Sequence, residues 1–184
     1  MSLKTILPFT LRAEGGDRVS DHPSDPGGIT KFGISDARDG RKDRMADLNG
    51  DGIGDKPVVD LTIEDAETIY RREYYDSRGC GDLPEILGDA LFDHSVTSGS
   101  AAKLFQAVLN VHGADLVLDG DVGPKTKAAC HAVADRIGPE VLARDMALAR
   151  AGFYVGLWAR RPKDEAFIKG WLNRVRNLML YLGL

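Results

Sequence analysis

Apolar residues recur at helical spacing along most of the chain. Leu142, Met146, Ala149, Phe153 and Leu157 form one stripe, and Phe167, Trp171, Val175, Leu178 and Leu182 form another. Each predicts an amphipathic helix near the C-terminus. Thr62 followed three residues later by Asp65 is an imperfect capping box, and Ile63, Ala66, Ile69, Tyr70 and Tyr74 continue it at helical spacing. Further helices are predicted over 85–97, 100–111 and 124–136, the last with Pro124 in its first position. At the front, Leu7 to Glu14 predicts a short helix that tolerates Pro8 in its first turn and ends at Gly15-Gly16. Residues 17–34 break the pattern. Asp, Pro, Gly and Ser crowd Asp17 to Gly28, and then Ile29, Phe32 and Ile34 sit among small or polar residues. That predicts a long ordered loop running into a short hairpin. A second polar, glycine-rich loop runs from Ala46 to Asp55. The pattern as a whole predicts a mainly α fold of several helices, with one small β-hairpin near the N-terminus.

Composition narrows the class. The chain has 184 residues, 43% hydrophobic and 28% charged, which suits a packed soluble domain. Residues 1–84 form a front lobe and residues 85–184 a helical half; the absence of a Pro/Ser/Gly linker between them predicts one folding unit. No apolar run approaches the roughly 20 residues that span a bilayer. Met1 to Arg12 lacks the apolar stretch and small-residue cleavage site of a secretory signal, so synthesis in the cytoplasm without a leader is expected. Two cysteines, Cys80 and Cys130, are too few for a disulfide framework and sit in no metal-binding spacing.

The net charge of −4 is uneven. Residues 1–130 carry a balance of −8 and residues 131–184 a balance of +4. An acidic main body argues against nucleic acid as a partner. The basic C-terminal region suits either an anionic envelope or a solvated helix face.

Glu14 is the candidate for chemistry. It falls in the last turn of its helix, where the macrodipole disfavours a carboxylate, so a raised pKa is expected. A carboxyl protonated near neutral pH is what donating a proton to a glycosidic oxygen requires. Asp21, Asp25 and Thr30 lie on a loop that must fold back past the helix end, where a second group on the far side of a sugar is needed. By position alone, a Glu before two glycines is more often an exposed helix end.

The run Glu14-Gly15-Gly16, then Asp21, Asp25-Pro26-Gly27-Gly28-Ile29-Thr30 and Lys31-Phe32-Gly33-Ile34, resembles the opening motif of glycoside hydrolase family 108. These are lysozyme-like muramidases of phages and prophages, some described as secretion activators. The resemblance implies a lysozyme-like fold with Glu14 as catalytic acid. Phe92-Asp93, Ser98-Gly99, Asp119-Gly120, Val122-Gly123-Pro124, Thr126 and the run from Phe167 to Arg174 resemble the peptidoglycan domain that follows it in that family. Two positions depart from the pattern: Asp17 stands where an aromatic residue is usual, and Thr97 where Asn is. The expected activity is hydrolysis of the β-1,4 bond between N-acetylmuramic acid and N-acetylglucosamine. Glu14 would act as acid, and Asp21, Asp25 or Thr30 would hold water or steady the cation. A lytic transglycosylase and a non-catalytic wall-binding or secretion-helper protein are the alternatives. The partner implied is bacterial peptidoglycan, reached after release from the host cytoplasm, and a monomer is expected.

One more motif stands apart. Asp47, Asn49, Asp51 and Asp55 place oxygen side chains at near-alternate positions with glycines between them, as in loops that wrap Ca²⁺. The twelfth position, a bidentate Glu in an EF-hand, is Val58. A structural calcium with no part in catalysis is the expectation, and a solvated turn is the alternative.

Overall fold

The computed structural model describes residues 3–22, 26–161, 163 and 165–184. Cα packing divides them into two compact units, one over Leu3–Glu73 and one over Tyr74–Leu184. The division falls earlier than the 84/85 boundary expected from the sequence.

In the first unit, Pro8 starts α1 (Leu7–Ala13) where a missing amide is harmless, and Leu7, Thr10 and Leu11 bury its inner face. Gly15 and Gly16 take left-handed conformations, and the Gly16 amide returns to the Leu11 carbonyl at 2.8 Å to close the helix. The hairpin follows. β1 (Thr30–Lys31) pairs antiparallel with β2 (Ile34–Ser35), Thr30 opposite Ser35 and Lys31 opposite Ile34. A second short ladder, β3 (Met45–Ala46) with β4 (Lys56–Pro57), brackets the acidic loop. The sequence reading has that segment only as a loop. Its strands are two residues each, too short for alternation to register.

α2 (Ile63–Tyr70) begins with the reciprocal cap that Thr62 and Asp65 suggest. The Asp65 amide donates to Thr62 Oγ1 at 3.3 Å, and the Thr62 amide donates to Asp65 Oδ2 at 2.7 Å. The helix widens into a π-helical turn, Arg71–Asp76, within which the division between units falls.

The second unit is a bundle of α3 (Glu85–Thr97), α4 (Ala101–Val111), α5 (Pro124–Ile137), α6 (Pro139–Arg160) and α7 (Glu165–Leu182). α3 is its centre, buried continuously from Leu87 to Ser95 and packed against α4 and α6. Gly88 allows that burial. A Cβ there would lie 2.4 Å from the Cys80 carbonyl oxygen. Both cysteines are free and buried, and burial pushes both thiols up to about 12.

The α6 stripe differs from the expected one. Leu142 and Met146 are buried, but beyond them Arg150 and Tyr154 point inward, while Ala149, Phe153 and Leu157 are only partly covered. The reason is a charge on the neighbouring helix. Asp93 of α3 is fully buried, and Arg150, itself 2% exposed, donates to its Oδ2 at 2.7 Å. Arg174 of α7 donates to Asp93 Oδ1 at 2.8 Å from the other side. A buried carboxylate demands such partners. Burial alone would raise the Asp93 pKa, but the two guanidiniums hold it below the usual carboxylate range.

Candidate active site

Glu14 caps the C-terminal end of α1, its amide shared between the Thr10 and Leu11 carbonyls at 3.0 and 3.2 Å. Its side chain is half-buried. The helix end is tied to the first hairpin by one backbone bond, the Phe32 amide to the Gly16 carbonyl at 3.0 Å. Phe32 and Gly33 form the hairpin turn with φ of 54° and 73°, the left-handed pair that matches the twist of a two-residue connection. Phe32 tolerates that conformation because its ring is buried and its carbonyl accepts the Tyr70 hydroxyl at 2.8 Å.

Gly33 is required for a second reason. A Cβ on it would lie 2.7 Å from Tyr70 Oη and 2.9 Å from Glu14 Cβ. The turn therefore lies directly against the Glu14 side chain, with the Tyr70 hydroxyl beside it. Sequence reasoning places Tyr70 in the apolar stripe of α2 and misses its hydroxyl; only the fold shows which carbonyl it reaches.

The remaining expected residues divide. Thr30 is half-buried in β1; its backbone exchanges two bonds with Ser20, at 2.7 and 2.9 Å, and its hydroxyl donates weakly to the Gly28 carbonyl at 3.4 Å. Asp21 follows Ser20 at the same end of that pairing. Its carboxylate is half-exposed and ion-paired with Arg44 at 3.1 Å. Asp25 lies outside the described residues. Asp17 is exposed.

A carboxylate absent from the sequence reading, Asp36, organises the loop. It is 5% exposed, its Oδ1 accepts the Arg44 amide at 2.6 Å, and a Cβ on Gly28 would lie 2.9 Å from its Oδ2. The signal for it is the glycine pair of the motif itself, since Gly28 is needed where this carboxylate passes.

Beyond β2 a polar pocket of about 250 Å³ is lined by Asp36, Arg38, Asp39, Asp47, Arg72 and Glu73 among others. Glu73 bridges two guanidiniums, from Arg38 Nε at 2.8 Å and Arg72 Nη2 at 2.9 Å. Burial would raise its pKa, but the hydrogen bond and charge of Arg38, reinforced by Arg72, hold it below the usual range.

The acidic loop is folded on its own backbone. Asp47 accepts the Gly50 and Gly52 amides, Asp51 Oδ1 accepts the Ile53 amide at 2.8 Å, and Asp55 Oδ2 accepts the Leu48 amide at 2.7 Å. Asn49 Oδ1 accepts the Asp51 amide at 2.8 Å, and its Nδ2 donates to Asp55 Oδ1 at 3.3 Å. Desolvation would raise the Asp47 pKa, but the Gly50 and Gly52 amides, with the charge of Arg72, bring it below the usual carboxylate value. Among the described residues no three His, Cys, Asp or Glu side chains are gathered as a metal site.

Comparison with known proteins defines the class. Residues 7–99 match the Glycosyl hydrolase 108 family model, and residues 100–176 match the Predicted Peptidoglycan domain. The chain belongs to the glycosyl hydrolase 108 family. Among solved structures it is similar to Brucella abortus SagA, at 29% identity and a TM-score of 0.69, over 97% of this chain and 92% of that one. A search of curated proteins returns no match. The mainly α fold with its small antiparallel β region is the lysozyme-like one the sequence suggests. The family makes the chain a glycosidase-type hydrolase acting on peptidoglycan, which puts its site of action at the cell wall. No described helix is long and apolar enough to cross a membrane.

Proposed function

We propose that the chain is an N-acetylmuramidase, hydrolysing the β-1,4 bond between N-acetylmuramic acid and N-acetylglucosamine with Glu14 as general acid. The observation that carries this reading is the seating of Glu14: half-buried at a helix end, with its side chain against the Phe32-Gly33 turn. A carboxyl held in one place by a rigid turn is suited to proton transfer, which depends on position before it depends on acidity.

In this reading the glycosidic oxygen takes its proton from Glu14 as the bond to the leaving sugar breaks, and water attacks the resulting oxocarbenium-like centre. Thr30 and Asp21 are the described residues offered to position that water or steady the cation; Asp25 is the third. Asp21 can serve only by sharing its carboxylate with Arg44.

The test is digestion of purified sacculi followed by identification of the soluble fragments. Reducing N-acetylmuramic acid ends are expected. Ends in the 1,6-anhydro form would make the protein a lytic transglycosylase, and binding without release would make it a non-catalytic wall-binding protein. Glu14→Gln keeps the shape and removes the proton, so release should fall by about 10²–10⁴-fold with the melting temperature unchanged. Near-normal release by this variant would remove Glu14 from the acid role.

A further inference from the structure

Aromatic rings form a ladder where α6 meets α7. Tyr154 of α6 is 3% exposed, and its ring stacks on Trp171 of α7 with centroids 5.3 Å apart and planes at 29°. Trp171, half-buried, stacks in turn on Phe167 one helical turn earlier, at 6.0 Å and 21°. Phe167 is 57% exposed. The ladder therefore runs from the core to the surface. Its lowest ring is fixed: the Tyr154 hydroxyl lies 2.9 Å from Thr97 Oγ1 and accepts Arg150 Nε at 3.1 Å, and Arg150 is anchored on buried Asp93. Trp158, one α6 turn beyond Tyr154, is 37% exposed.

A contiguous exposed apolar surface on a folded domain marks an interaction or ligand site, where a lone exposed side chain does not. The charges beside it in the chain narrow the partner. Arg160, Arg161 and Lys163 are exposed between the end of α6 and the start of α7, with Asp164 in the sequence and the exposed Glu165 beside them. A partner that pairs apolar flat faces with carboxylates fits this surface. A peptidoglycan strand has both: pyranose rings present C–H faces that stack on aromatic rings, and the stem peptides end in carboxylates.

We propose that Phe167, supported by Trp171 and Tyr154, is a glycan-stacking platform of the peptidoglycan domain. The rim of Arg160, Arg161 and Lys163, just ahead of it in the chain, pairs with stem-peptide carboxylates. This rests on peptidoglycan as substrate but not on the identity of the bond cleaved. It is therefore read by binding rather than turnover.

The full-length chain is mixed with purified sacculi in the cold and sedimented. Phe167→Ala should weaken co-sedimentation by about tenfold or more, as for loss of a central aromatic contact, while the melting temperature stays near wild type. Phe167→Trp should restore binding, and higher salt should weaken the wild type by screening the rim. Equal binding by wild type and Phe167→Ala overturns the proposal. So does failure of Phe167→Trp to bind, or a dimer of the free chain that Phe167→Ala dissolves without changing wall binding. Sacculi that are bound through Phe167 but release no reducing ends would uphold the platform and sink the muramidase reading alone.

Discussion

Gly33 lies so close to Glu14 that a Cβ on residue 33 would force Glu14 or its neighbour Tyr70 to shift. A Cβ at 33 would come within 2.9 Å of Glu14 Cβ and 3.2 Å of its Cγ. Gly33→Ala therefore adds two effects: a left-handed conformation at φ 73°, which costs an alanine about 1–2 kcal/mol, and a shift of Glu14 or of Tyr70. Gly15 provides the control. Its φ is 96° but the space around its Cβ position is open, so Gly15→Ala carries the strain without the collision. Sacculus hydrolysis should fall far more in Gly33→Ala than in Gly15→Ala at comparable melting temperatures. Equal activities would show that the turn does not position Glu14.

Buried charge in the helical unit is the next test. Asp93 accepts from Arg150 and Arg174 with no exposure to water. Asp93→Asn leaves two guanidiniums facing a neutral amide, and breaking a buried pair in this way costs about 3–5 kcal/mol. Asp82 pairs with Lys127 at 2.6 Å on the surface, its side chain 66% exposed. Asp82→Asn should leave the urea midpoint almost unmoved. The prediction fails if the two variants unfold at similar urea concentrations.

Two groups on α3 give opposite pH dependence. Burial, helped by the charge of Arg150, pushes the His94 imidazole down to about 3, and its Nε2 has no hydrogen-bond partner. Burial, with Glu85 nearby, pushes the Asp89 carboxyl up to about 7. Between pH 3 and the unfolded histidine value of about 6.5, only the unfolded chain protonates His94, so that group's contribution to stability rises with pH. Between the unfolded aspartate value of about 3.9 and pH 7, only the folded chain keeps Asp89 protonated, so its contribution falls with pH. Over roughly pH 4–6.5 the two oppose. Asp89→Asn should leave stability climbing with pH by up to about 1.4 kcal/mol per unit, and His94→Gln should leave it declining. Urea midpoints measured across that window decide it; two flat profiles would refute both assignments.

Much of this was legible before the fold was known, and the exceptions have one cause. The glycines of the front motif announce themselves, because Gly28 and Gly33 stand where a Cβ would strike Asp36, Glu14 or Tyr70. The helices announce themselves by period and by caps such as Thr62-Asp65. Arg150 does not. A stripe count puts Ala149 and Phe153 inward, and only the carboxylate brought alongside from 57 positions away turns Arg150 into the core. Tyr70 is core as its stripe predicts, but the stripe says nothing of its hydroxyl on the Phe32 carbonyl, and Phe167, counted in an apolar stripe, is 57% exposed. Periodicity reports which face is apolar. It does not report what a distant element demands of one residue on that face.

The acidic loop sets a metal against its own backbone. We propose that Ca²⁺ binds the loop carrying Asp47, Asn49, Asp51 and Asp55 and acts on stability, not on chemistry. The case for it is like charge: three carboxylates within nine residues repel, and a cation would turn that repulsion into attraction. Against it stand the amides of Leu48, Gly50, Gly52 and Ile53, which already occupy carboxylate oxygens and must be partly released. Val58 in place of a bidentate Glu weakens the site further. Affinity should therefore be low, and only a large excess of cation should stabilise; at about 100 times Kd the gain is roughly 2.7 kcal/mol. Glu14 is outside the loop, so chelation should leave cold-temperature hydrolysis intact. Melting curves in EDTA and in millimolar Ca²⁺, for wild type and Asp51→Ala, separate the possibilities. A calcium-dependent rise in the wild type that Asp51→Ala loses supports the site, and superimposable wild-type curves mean that the loop's own hydrogen bonds hold it without a metal.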